Sequence, residues 1–452
     1  MIVFIHRKDL RTIDMPAWDA IARTGKDSLH VLILEPFLLR DGRDREHSGI
    51  HFLRQAARLA EQYAAEGKCL HVLYGEPPAV LAAILDALPV SDVLVHADYT
   101  PYSRKRDSEL REAAEARGIK WTAYEERTLA DPAGLLRHAG RAEPFKVFTP
   151  FYRRWVSYLD ELPPLPSAVT LQDLTTAELP DGLHDHFRLP EPLQAQLLEA
   201  ASRIKKEPGS GMETLIRFVE DGLDAYPEAR ERYGLDGTSR ISSSLNTGSL
   251  SVRQAYAAVI GREHAGGAWL RQLAWRDFYL MQAQLNPDFF IYEQLYNESG
   301  LSTRHFEAWA EGRTGIPVID AAMRQLNQTG WMPNRLRMIT AMFLTKNLAC
   351  PFRYGERYFR LKLADYDNTL NRGGWLWSSS LGFDAAPYFR VMNPVTQSVK
   401  YDPDGSFIRQ WMPELAHLDA KEIHLPLKTA VVDLKTSRAR AIEVYGRLLK
   451  SK

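Results

Sequence analysis

Two tryptophans, Trp375 and Trp377, stand one residue apart beside a pair of glycines, and three polar side chains precede them at Asp365, Asp367 and Asn371. Core packing alone does not require large rings next to so many polar groups, because buried polar groups need hydrogen-bond partners. Indoles present wide, flat apolar faces with a single polar N–H. This stretch therefore predicts a pocket in which planar rings stack.

A second segment, residues 237–251, is rich in hydroxyl groups. Thr238, Ser239 and Ser242 stand just ahead of a helical pattern, so hydroxyls and free backbone N–H groups would lie together, as they do where a helix N-terminus holds a phosphate. The same residues are typical of a helix cap followed by a turn. On the residues alone, both interpretations stay open.

A third candidate is a helical stretch in which Trp269, Gln272, Trp275 and Arg276 recur at intervals of three and four residues. That spacing places them on one helix face. An aromatic stripe usually belongs to a core. The glutamine and the arginine favour a stacking pocket with a polar floor instead, because a dry core would leave them without partners.

The elements that must position these residues differ between the two halves of the chain. In the first third, short apolar runs alternate with amphipathic stretches, which predicts an α/β domain with a doubly wound parallel sheet. No GxGxxG follows the first strand, so a dinucleotide site of the usual Rossmann kind is not supported there. The strands are predicted at residues 2–5, 29–34, 70–74, 93–96 and 120–123, and helices at 52–65, 79–88 and 108–117.

The remainder divides into two further parts. Residues 131–192 are rich in proline and weakly periodic, which predicts a long connecting segment. After residue 193 the pattern is almost wholly helical, and strand candidates are scarce. We therefore expect an α/β domain at 1–130, a connector at 131–192 and an all-α domain at 193–452.

Composition limits the classes of function. The 452 residues are 45% hydrophobic and 25% charged, as in a soluble protein whose domains each bury a core. Basic and acidic residues balance at 57 each, so a nucleic-acid site must be a local patch. Residues 334–390 hold nine basic residues against four acids, which indicates either such a patch or solvated helix faces.

Two cysteines give no disulfide framework and too few thiolates for an all-cysteine zinc or iron–sulfur site, so no metal is expected. The N-terminus lacks the pattern of a signal peptide, and no apolar run reaches ~18 residues. From these features we expect a cytoplasmic protein with no membrane partner.

Together these segments resemble the flavin and lesion pocket of the photolyase/cryptochrome family, most closely that of class I cyclobutane pyrimidine dimer (CPD) photolyases. The resemblance spans nearly the whole chain and is densest at residues 226–415. It implies an N-terminal antenna domain, a helical FAD-binding domain, UV-damaged DNA as partner and a monomer. The implied activity is that of a deoxyribodipyrimidine photo-lyase, a carbon–carbon lyase. A damaged dinucleotide flips out of the duplex, and light-excited reduced FAD lends it an electron that splits the cyclobutane ring.

The resemblance also assigns residues. Arg337 and Asp365 match an ion pair at the flavin edge, for which an ordinary salt bridge is the alternative, and Asn371 matches the amide that faces flavin N5. Trp375 would abut the flavin as an electron donor. The implied cofactor set is Tyr226, Thr238, Ser239, Arg240, Ile241, Ser242, Trp269, Gln272, Arg337, Asp365, Tyr366, Asp367 and Asn371.

For substrate, the resemblance implies lesion contacts by Gln272, Asn334 and Met338, which together with Asn371 and Trp375 form the catalytic set. Further positions match residues that stack on the lesion or contact the DNA backbone. The stacking residues are Trp275 and Trp377, and the backbone residues are Arg230, Arg276, Arg335 and Gln397.

Gln272 departs from the class I pattern, which has Glu at this position. An amide still donates and accepts hydrogen bonds, but it cannot donate a proton to a radical anion. Gln here also resembles the (6-4) photoproduct branch of the family. That branch relies on paired histidines where this chain has Pro333 and Met338, so CPDs are the expected lesion and (6-4) photoproducts the alternative.

A second departure concerns the three tryptophans that carry electrons to the flavin in class I relatives. Trp375 fills the inner position, but Phe352 and Ser299 stand at the other two. Phenylalanine is far harder to oxidise than indole. We hypothesise slow photoreduction or a detour through nearby tyrosines, with Tyr354, Tyr358 and Tyr296 as candidates.

The family's N-terminal domain carries a second, light-harvesting chromophore. Residues 98–107 follow a predicted strand at the edge where open sheets bind ligands, although a helix cap is an equally good interpretation. Either 8-hydroxy-5-deazaflavin or methenyltetrahydrofolate would match. Two functions of other classes remain alternatives: a cryptochrome-type blue-light photoreceptor and a flavin-free DNA-binding module.

Overall fold

The five apolar runs of the first third form a parallel sheet in the computed structural model, which describes residues 1–204, 209–262 and 265–451. The strand order is β3-β2-β1-β4-β5, with Ile2 opposite both Ser28 and Asp92. The strands are β1 Ile2–His6, β2 Ser28–Leu34, β3 His71–Tyr74, β4 Asp92–His96 and β5 Lys120–Tyr124.

Alternation along the strands explains why both faces of this sheet are covered. Ile2 and Phe4 belong to one buried cluster, whereas Val3 and Ile5 belong to another on the opposite face, because successive side chains of a strand point to opposite sides. Parallel sheets need helices on both faces. The predicted doubly wound fold is confirmed.

Eight α-helices, α1 to α8 in chain order, lie before residue 190 in the described chain. They are Pro16–Thr24, Pro36–Leu39, His47–Ala65, Pro77–Ala87, Pro101–Glu115, Pro132–His138, Phe148–Glu161 and Asp181–His186.

The segment predicted as a connector is more ordered than its prolines suggest. Helix α7 buries Phe148, Phe151, Trp155 and Leu159, which recur at intervals of three and four residues and join the core of the helical half. Further along, the chain returns to the sheet, where Ser28 pairs with Thr176. The domain boundaries themselves stay a prediction.

The second half is all-α, as predicted, because the described residues from 193 onward form no strand. Within that described part, helices α9 to α22 are Glu191–Ile204, Gly211–Asp221, Tyr226–Ala229, Ser242–Thr247, Val252–Val259, Ala265–Leu285, Phe306–Ala310, Pro317–Thr329, Asn334–Met342, Phe352–Lys362, Asn368–Ser378, Pro394–Tyr401, Ser406–Trp411 and Leu434–Leu448. A π-helical turn, Phe343–Asn347, follows α17. Short 3₁₀ turns lie at Arg43–Arg45, Leu171–Asp173, Pro287–Phe290, Tyr292–Leu295, Pro413–Leu415, Glu422–His424 and Leu449–Ser451. Of the helices in the described ranges, none has the length and apolar character needed to cross a bilayer.

Candidate functional site

A cavity of about 380 Å³ opens between helices α11, α12, α14, α17 and α19. Its walls contain every residue that the sequence predicts for cofactor binding, from Tyr226 on α11 to Asn371 on α19. Residues predicted for the lesion line the same cavity, among them Asn334 and Met338. The fold therefore brings together segments that lie more than 100 residues apart in the sequence. We call this space the helical cavity.

The hydroxyl-rich segment forms one wall of the helical cavity. Helix α12 begins at Ser242 without a side-chain cap, so its first backbone N–H groups have no side-chain acceptor. Ser242 Oγ and Asn246 Oδ1 are buried without a hydrogen-bond partner in the described chain. Ser239 Oγ accepts a bond from Trp269 Nε1 at 3.2 Å. Unpartnered polar groups around an open space fit a bound polar group such as a diphosphate.

On the opposite side, Arg337 and Asp365 form the predicted ion pair. Arg337 Nη2 lies 3.0 and 2.9 Å from the two carboxylate oxygens of Asp365, and Nε donates to the carbonyl oxygen of Met332 at 2.8 Å. Trp331, which sequence reasoning missed, also lines the cavity, and the guanidinium of Arg240 lies 4.5 Å from the centre of its ring. The neighbouring Trp331-Met332 pair follows a glycine, and no spacing signal in the sequence marks it.

Asp367 is the best-connected acid of the site. Its Oδ1 caps α19 by accepting from the N–H groups of Thr369 and Leu370 at 2.9 and 3.0 Å, and its Oδ2 accepts from Arg127 Nη2 at 2.5 Å. Burial alone would raise the pKa of Asp367, but the charges of Arg127 and Lys8 outweigh it and hold the pKa well below its usual range.

Arg127 links this acid to the N-terminal domain. Its Nη1 donates to Asp98 Oδ1 at 3.0 Å, and Lys8 Nζ lies 3.8 Å from Asp98 and 3.9 Å from Asp367. We call Lys8, Asp98, Arg127 and Asp367 the buried ion cluster. Sequence reasoning missed Lys8 and Arg127, because their acidic partners Asp98 and Asp367 lie far from them in the sequence.

Helix α19 carries the predicted N5 neighbour and the inner electron donor. Asn371 donates through Nδ2 to the carbonyl oxygen of Glu356 at 3.1 Å, and the residue lines the cavity. Trp375 is 2% exposed and packs so closely on α18 that a Cβ at Gly355 would lie 2.0 Å from its ring. A glycine is therefore required opposite Trp375.

The mouth of the cavity carries a polar group centred on Gln272. Its Oε1 accepts from Arg230 Nη2 at 3.2 Å, and Arg230 Nε lies 3.5 Å from Glu231. Arg335 pairs with the same Glu231. Two of the arginines predicted for DNA phosphates thus share one acid, and sequence reasoning missed that acid.

Some of the other predicted substrate residues line the helical cavity and some do not. Asn334 is exposed at the start of α17, and its Nδ2 lies 3.7 Å from the sulfur of Met338. Trp275, Trp377 and Gln397 do not line the helical cavity, so their roles stay predictions. The ring of Trp275 stacks instead on Phe148, with centroids 3.6 Å apart.

Arg276 is buried. Its guanidinium donates to the carbonyl oxygen of Arg127, and the residue lines the helical cavity. The DNA-backbone contact expected for it stays a prediction. Desolvation lowers the pKa of this guanidinium, and the neighbouring Arg127 acts in the same direction.

The basic cluster of residues 334–390 is largely neutralised inside the protein. Five of its nine members form ion pairs with acids, and Lys346 is buried in the π-helical turn. The cluster is therefore not the continuous exposed patch considered from the sequence. The five paired residues are Arg335, Arg337, Arg353, Lys362 and Arg372.

A second cavity, of about 640 Å³, lies at the carboxyl ends of the strands. Strand order reverses between β1 and β4, and open sheets bind ligands at this point. Residues of the 98–107 segment line this interdomain cavity, together with His6 and Lys8, which sequence reasoning did not single out. An antenna site at 98–107 stays a prediction. Asn246 and Tyr366 line both cavities and form a shared wall, with Asn246 Nδ2 donating to the carbonyl oxygen of Tyr366 at 2.5 Å.

Comparisons with known proteins agree with this geometry. Residues 2–169 match the family described as DNA photolyase, and residues 269–448 match the FAD binding domain of DNA photolyase. The deoxyribodipyrimidine photo-lyase of Escherichia coli is 36% identical over 387 residues, 80% of either chain. That of Vibrio cholerae is 34% identical over 460 residues, 97% of this chain and 95% of the relative.

Solved structures extend the similarity to the whole fold. An archaeal photolyase from Sulfolobus tokodaii, described with two FAD molecules, superposes with a TM-score of 0.80 at 28% identity, over 99% of this chain and 100% of that one. A class III photolyase from Agrobacterium tumefaciens gives 0.82 at 27%, over 99% and 98%. A cryptochrome from Synechocystis gives 0.84 at 25%, over 98% and 99%.

Proposed function

This chain belongs to the photolyase/cryptochrome family, and on that premise we propose that it repairs cyclobutane pyrimidine dimers in DNA with light and reduced FAD. One observation carries the proposal: the residues that match the family's flavin site and three that match its lesion contacts, Gln272, Asn334 and Met338, line one helical cavity. Cofactor and lesion would then meet without any large rearrangement. When bound and reduced, FAD supplies the light-excited electron that splits the ring and is later recovered.

The protein's part is to hold the cofactor in a defined place. Ser242 and the uncapped start of α12 would bind its diphosphate, and Arg337 with Asp365 would flank its ring system. Asn371 lines the cavity with its Nδ2 already bonded to Glu356, so its amide oxygen would accept a hydrogen bond from a protonated ring nitrogen. The buried ion cluster keeps Asp367 charged and fixes the first turn of α19, so Asn371 and Trp375 stay in position.

On the DNA side, Gln272 is the residue that reads the flipped bases. Its amide can donate to a base carbonyl and accept from a base N–H, and Arg230 holds its oxygen at 3.2 Å in the absence of DNA. Arg230 and Arg335 at the mouth would contact phosphates, which adds affinity without sequence preference. Both must leave Glu231 to do so, since that acid pairs with each of them.

Repair of (6-4) photoproducts is the second candidate, because Gln272 matches that branch. Against it, Pro333 and Met338 stand at the cavity, and no histidine lines it within the described part of the chain. A neutral imidazole pair for acid–base chemistry is therefore missing from this wall. CPDs remain the proposed substrate.

The experiment that tests the proposal uses the full chain loaded with FAD and reduced chemically. It is illuminated with one of two duplexes, one with a single CPD and one with a (6-4) photoproduct, and each restored dipyrimidine is measured by chromatography. Restoration of the CPD alone is the expected result. Restoration of only the (6-4) product would replace the substrate, and restoration of neither would favour a photoreceptor. A matched reaction in darkness controls for thermal reversal.

The family also uses a second antenna chromophore, and we place it in the interdomain cavity. Phe37 and Tyr102 stack there with centroids 4.3 Å apart, and Arg40 covers the ring of Phe37 at 3.9 Å. Planar rings and several arginines suit a flat chromophore with an anionic tail. The absorption spectrum of the purified protein would distinguish 8-hydroxy-5-deazaflavin from methenyltetrahydrofolate.

A further inference from the structure

The two positions that replace the family's middle and outer tryptophans cannot carry a positive charge away from Trp375. Ser299 is exposed and has no aromatic ring. Phe352 is buried, and the guanidinium of Arg372 lies 5.0 Å from the centre of its ring. Arg372 is paired with Glu293 and Glu356, so its charge is compensated, but a benzene ring is in any case far harder to oxidise than an indole. The usual route is therefore closed at its second step.

A different tryptophan lies next to Trp375. The ring of Trp309, on α15, has its centroid 6.0 Å from that of Trp375 at an interplanar angle of 72°, an edge-to-face contact. Trp309 is fully buried, and its Nε1 donates to the carbonyl oxygen of Thr340 at 3.0 Å. An indole that has lost an electron becomes a stronger N–H donor, so this carbonyl stabilises the oxidised ring.

Trp309 in turn contacts a tyrosine that is only partly buried. The centroid of the Tyr358 ring lies 5.8 Å from that of Trp309, and its hydroxyl bonds to Asn327 Oδ1 at 2.6 Å and to the carbonyl oxygen of Ala310 at 2.9 Å. Burial raises the pKa of Tyr358 to about 12, so the phenol is neutral until it is oxidised.

The other two tyrosines near the gaps are placed less directly. Tyr354 contacts Phe306 at 5.6 Å, and Phe306 contacts Trp309 at 6.0 Å, so a phenylalanine stands between Tyr354 and the indole. Tyr296 contacts Tyr292, whose ring lies against Phe383. Neither offers an unbroken series of oxidisable rings from Trp375.

From these contacts we propose that Trp309 and Tyr358 form the route by which electrons reach Trp375 when the flavin is reduced by light. The proposal deepens the proposed function, on which it rests. Trp375 gives one electron to the excited flavin, and Trp309 then gives one electron to oxidised Trp375. Tyr358 in turn gives one electron to oxidised Trp309 and releases its phenolic proton to water. A soluble thiol then returns one hydrogen atom to the Tyr358 phenoxyl radical and becomes a thiyl radical, which closes the balance.

The test compares Trp309→Phe and Tyr358→Phe with Tyr354→Phe, a matched control on the same helix as Tyr358. Each FAD-loaded protein is illuminated with blue light and dithiothreitol, and flavin reduction is followed by absorbance. Loss of Trp309 or Tyr358 should slow reduction about tenfold or more, the effect of a barrier ~1.4 kcal/mol higher. The control should reduce at the wild-type rate.

A second readout does not depend on repair. Electron paramagnetic resonance of samples frozen under illumination without thiol should show a tyrosyl radical in the wild type and in Tyr354→Phe, and none in Tyr358→Phe. Wild-type rates in Trp309→Phe, or a radical that survives in Tyr358→Phe, would overturn the route. Chemically reduced variants should still repair CPDs like the wild type. Failure of the reduced wild type to repair would instead refute the proposed function and leave the radical measurement valid.

Discussion

Replacing Arg127 by methionine should destabilise the protein more than any other single loss of charge near the flavin site. Arg127 is 3% exposed and donates to Asp98 and Asp367 at 3.0 and 2.5 Å. Methionine has a similar length but no charge, so the two buried carboxylates would keep Lys8 as their nearest cation, 3.8 and 3.9 Å from them. Removing one partner of a buried ion pair costs about 3–5 kcal/mol, because the remaining charge is left uncompensated. We expect the lower end of that range, since Lys8 remains.

The change also has a predicted pH dependence. The pKa of Asp367 is depressed in the folded protein, so its contribution to stability is complete above its unfolded value of ~3.9 and is lost as the pH falls through the folded value. In the Arg127→Met variant this depression is reduced. The difference in unfolding free energy between wild type and variant should therefore be largest near neutral pH and should decrease in acid.

Urea unfolding of the FAD-loaded proteins is followed by circular dichroism and by flavin fluorescence. The difference in unfolding free energy appears as a shift in the urea midpoint, while the dependence of the free energy on urea concentration is unchanged. The control is Arg117→Met, which breaks an exposed pair with Asp86 at 2.7 Å and should leave the midpoint unchanged. Equal midpoints for Arg127→Met and the wild type, or a gap that stays constant down to acid pH, would refute the reasoning.

Three further predictions follow from the packing and charges described. Gly355→Ala would place a methyl 2.0 Å from the Trp375 ring, so overpacking should lower the free energy of unfolding by about 1–3 kcal/mol and weaken FAD binding. The control Gly267→Ala meets no atom within 4 Å and should change neither property. Fluorescence titration with FAD and urea midpoints compare the two variants. Burial lowers the pKa of Lys346 to about 6, so unfolding free energy should rise by ~1.4 kcal/mol per pH unit between about 6 and 10, because the unfolded lysine still binds a proton there. Lys346→Met should abolish that slope in urea titrations, and a slope that persists would contradict the assignment. Glu231→Gln should tighten binding to undamaged duplex DNA and steepen its salt dependence, because Arg335 is released for phosphate contact; an unchanged slope in fluorescence anisotropy would count against it.

Local patterns were sufficient for most of the fold. Each of the five strands was located to within about two residues, because alternation and apolar runs are local properties. Helix α7 was hidden: its buried residues recur every three or four positions, but the prolines that follow suggested a linker. The hydroxyl segment and the α19 residues were assigned through resemblance, and the cavity brings them together as that resemblance implies.

What the sequence could not supply was the identity of distant partners. Arg127 and Asp367 are 240 residues apart, and nothing local marks them as neighbours. The same holds for three further residues, whose roles depend on the side chains that pack around them in the folded chain: Glu231, Trp309 and Trp331. For the same reason the hydrogen bond from Arg276 to the carbonyl oxygen of Arg127, 149 residues earlier in the chain, could not be predicted.

The wall shared by Asn246 and Tyr366 has a consequence for building hybrids of this protein with its relatives. Because each of these residues lines both cavities, any substitution there alters the lining of both at once. If the N-terminal half came from another family member, the wall formed by Asn246 and Tyr366 would not match the chromophore that this half binds. Exchange of light-harvesting pigments between lineages would then require matched changes in the helical half, so the two halves are expected to evolve as one unit.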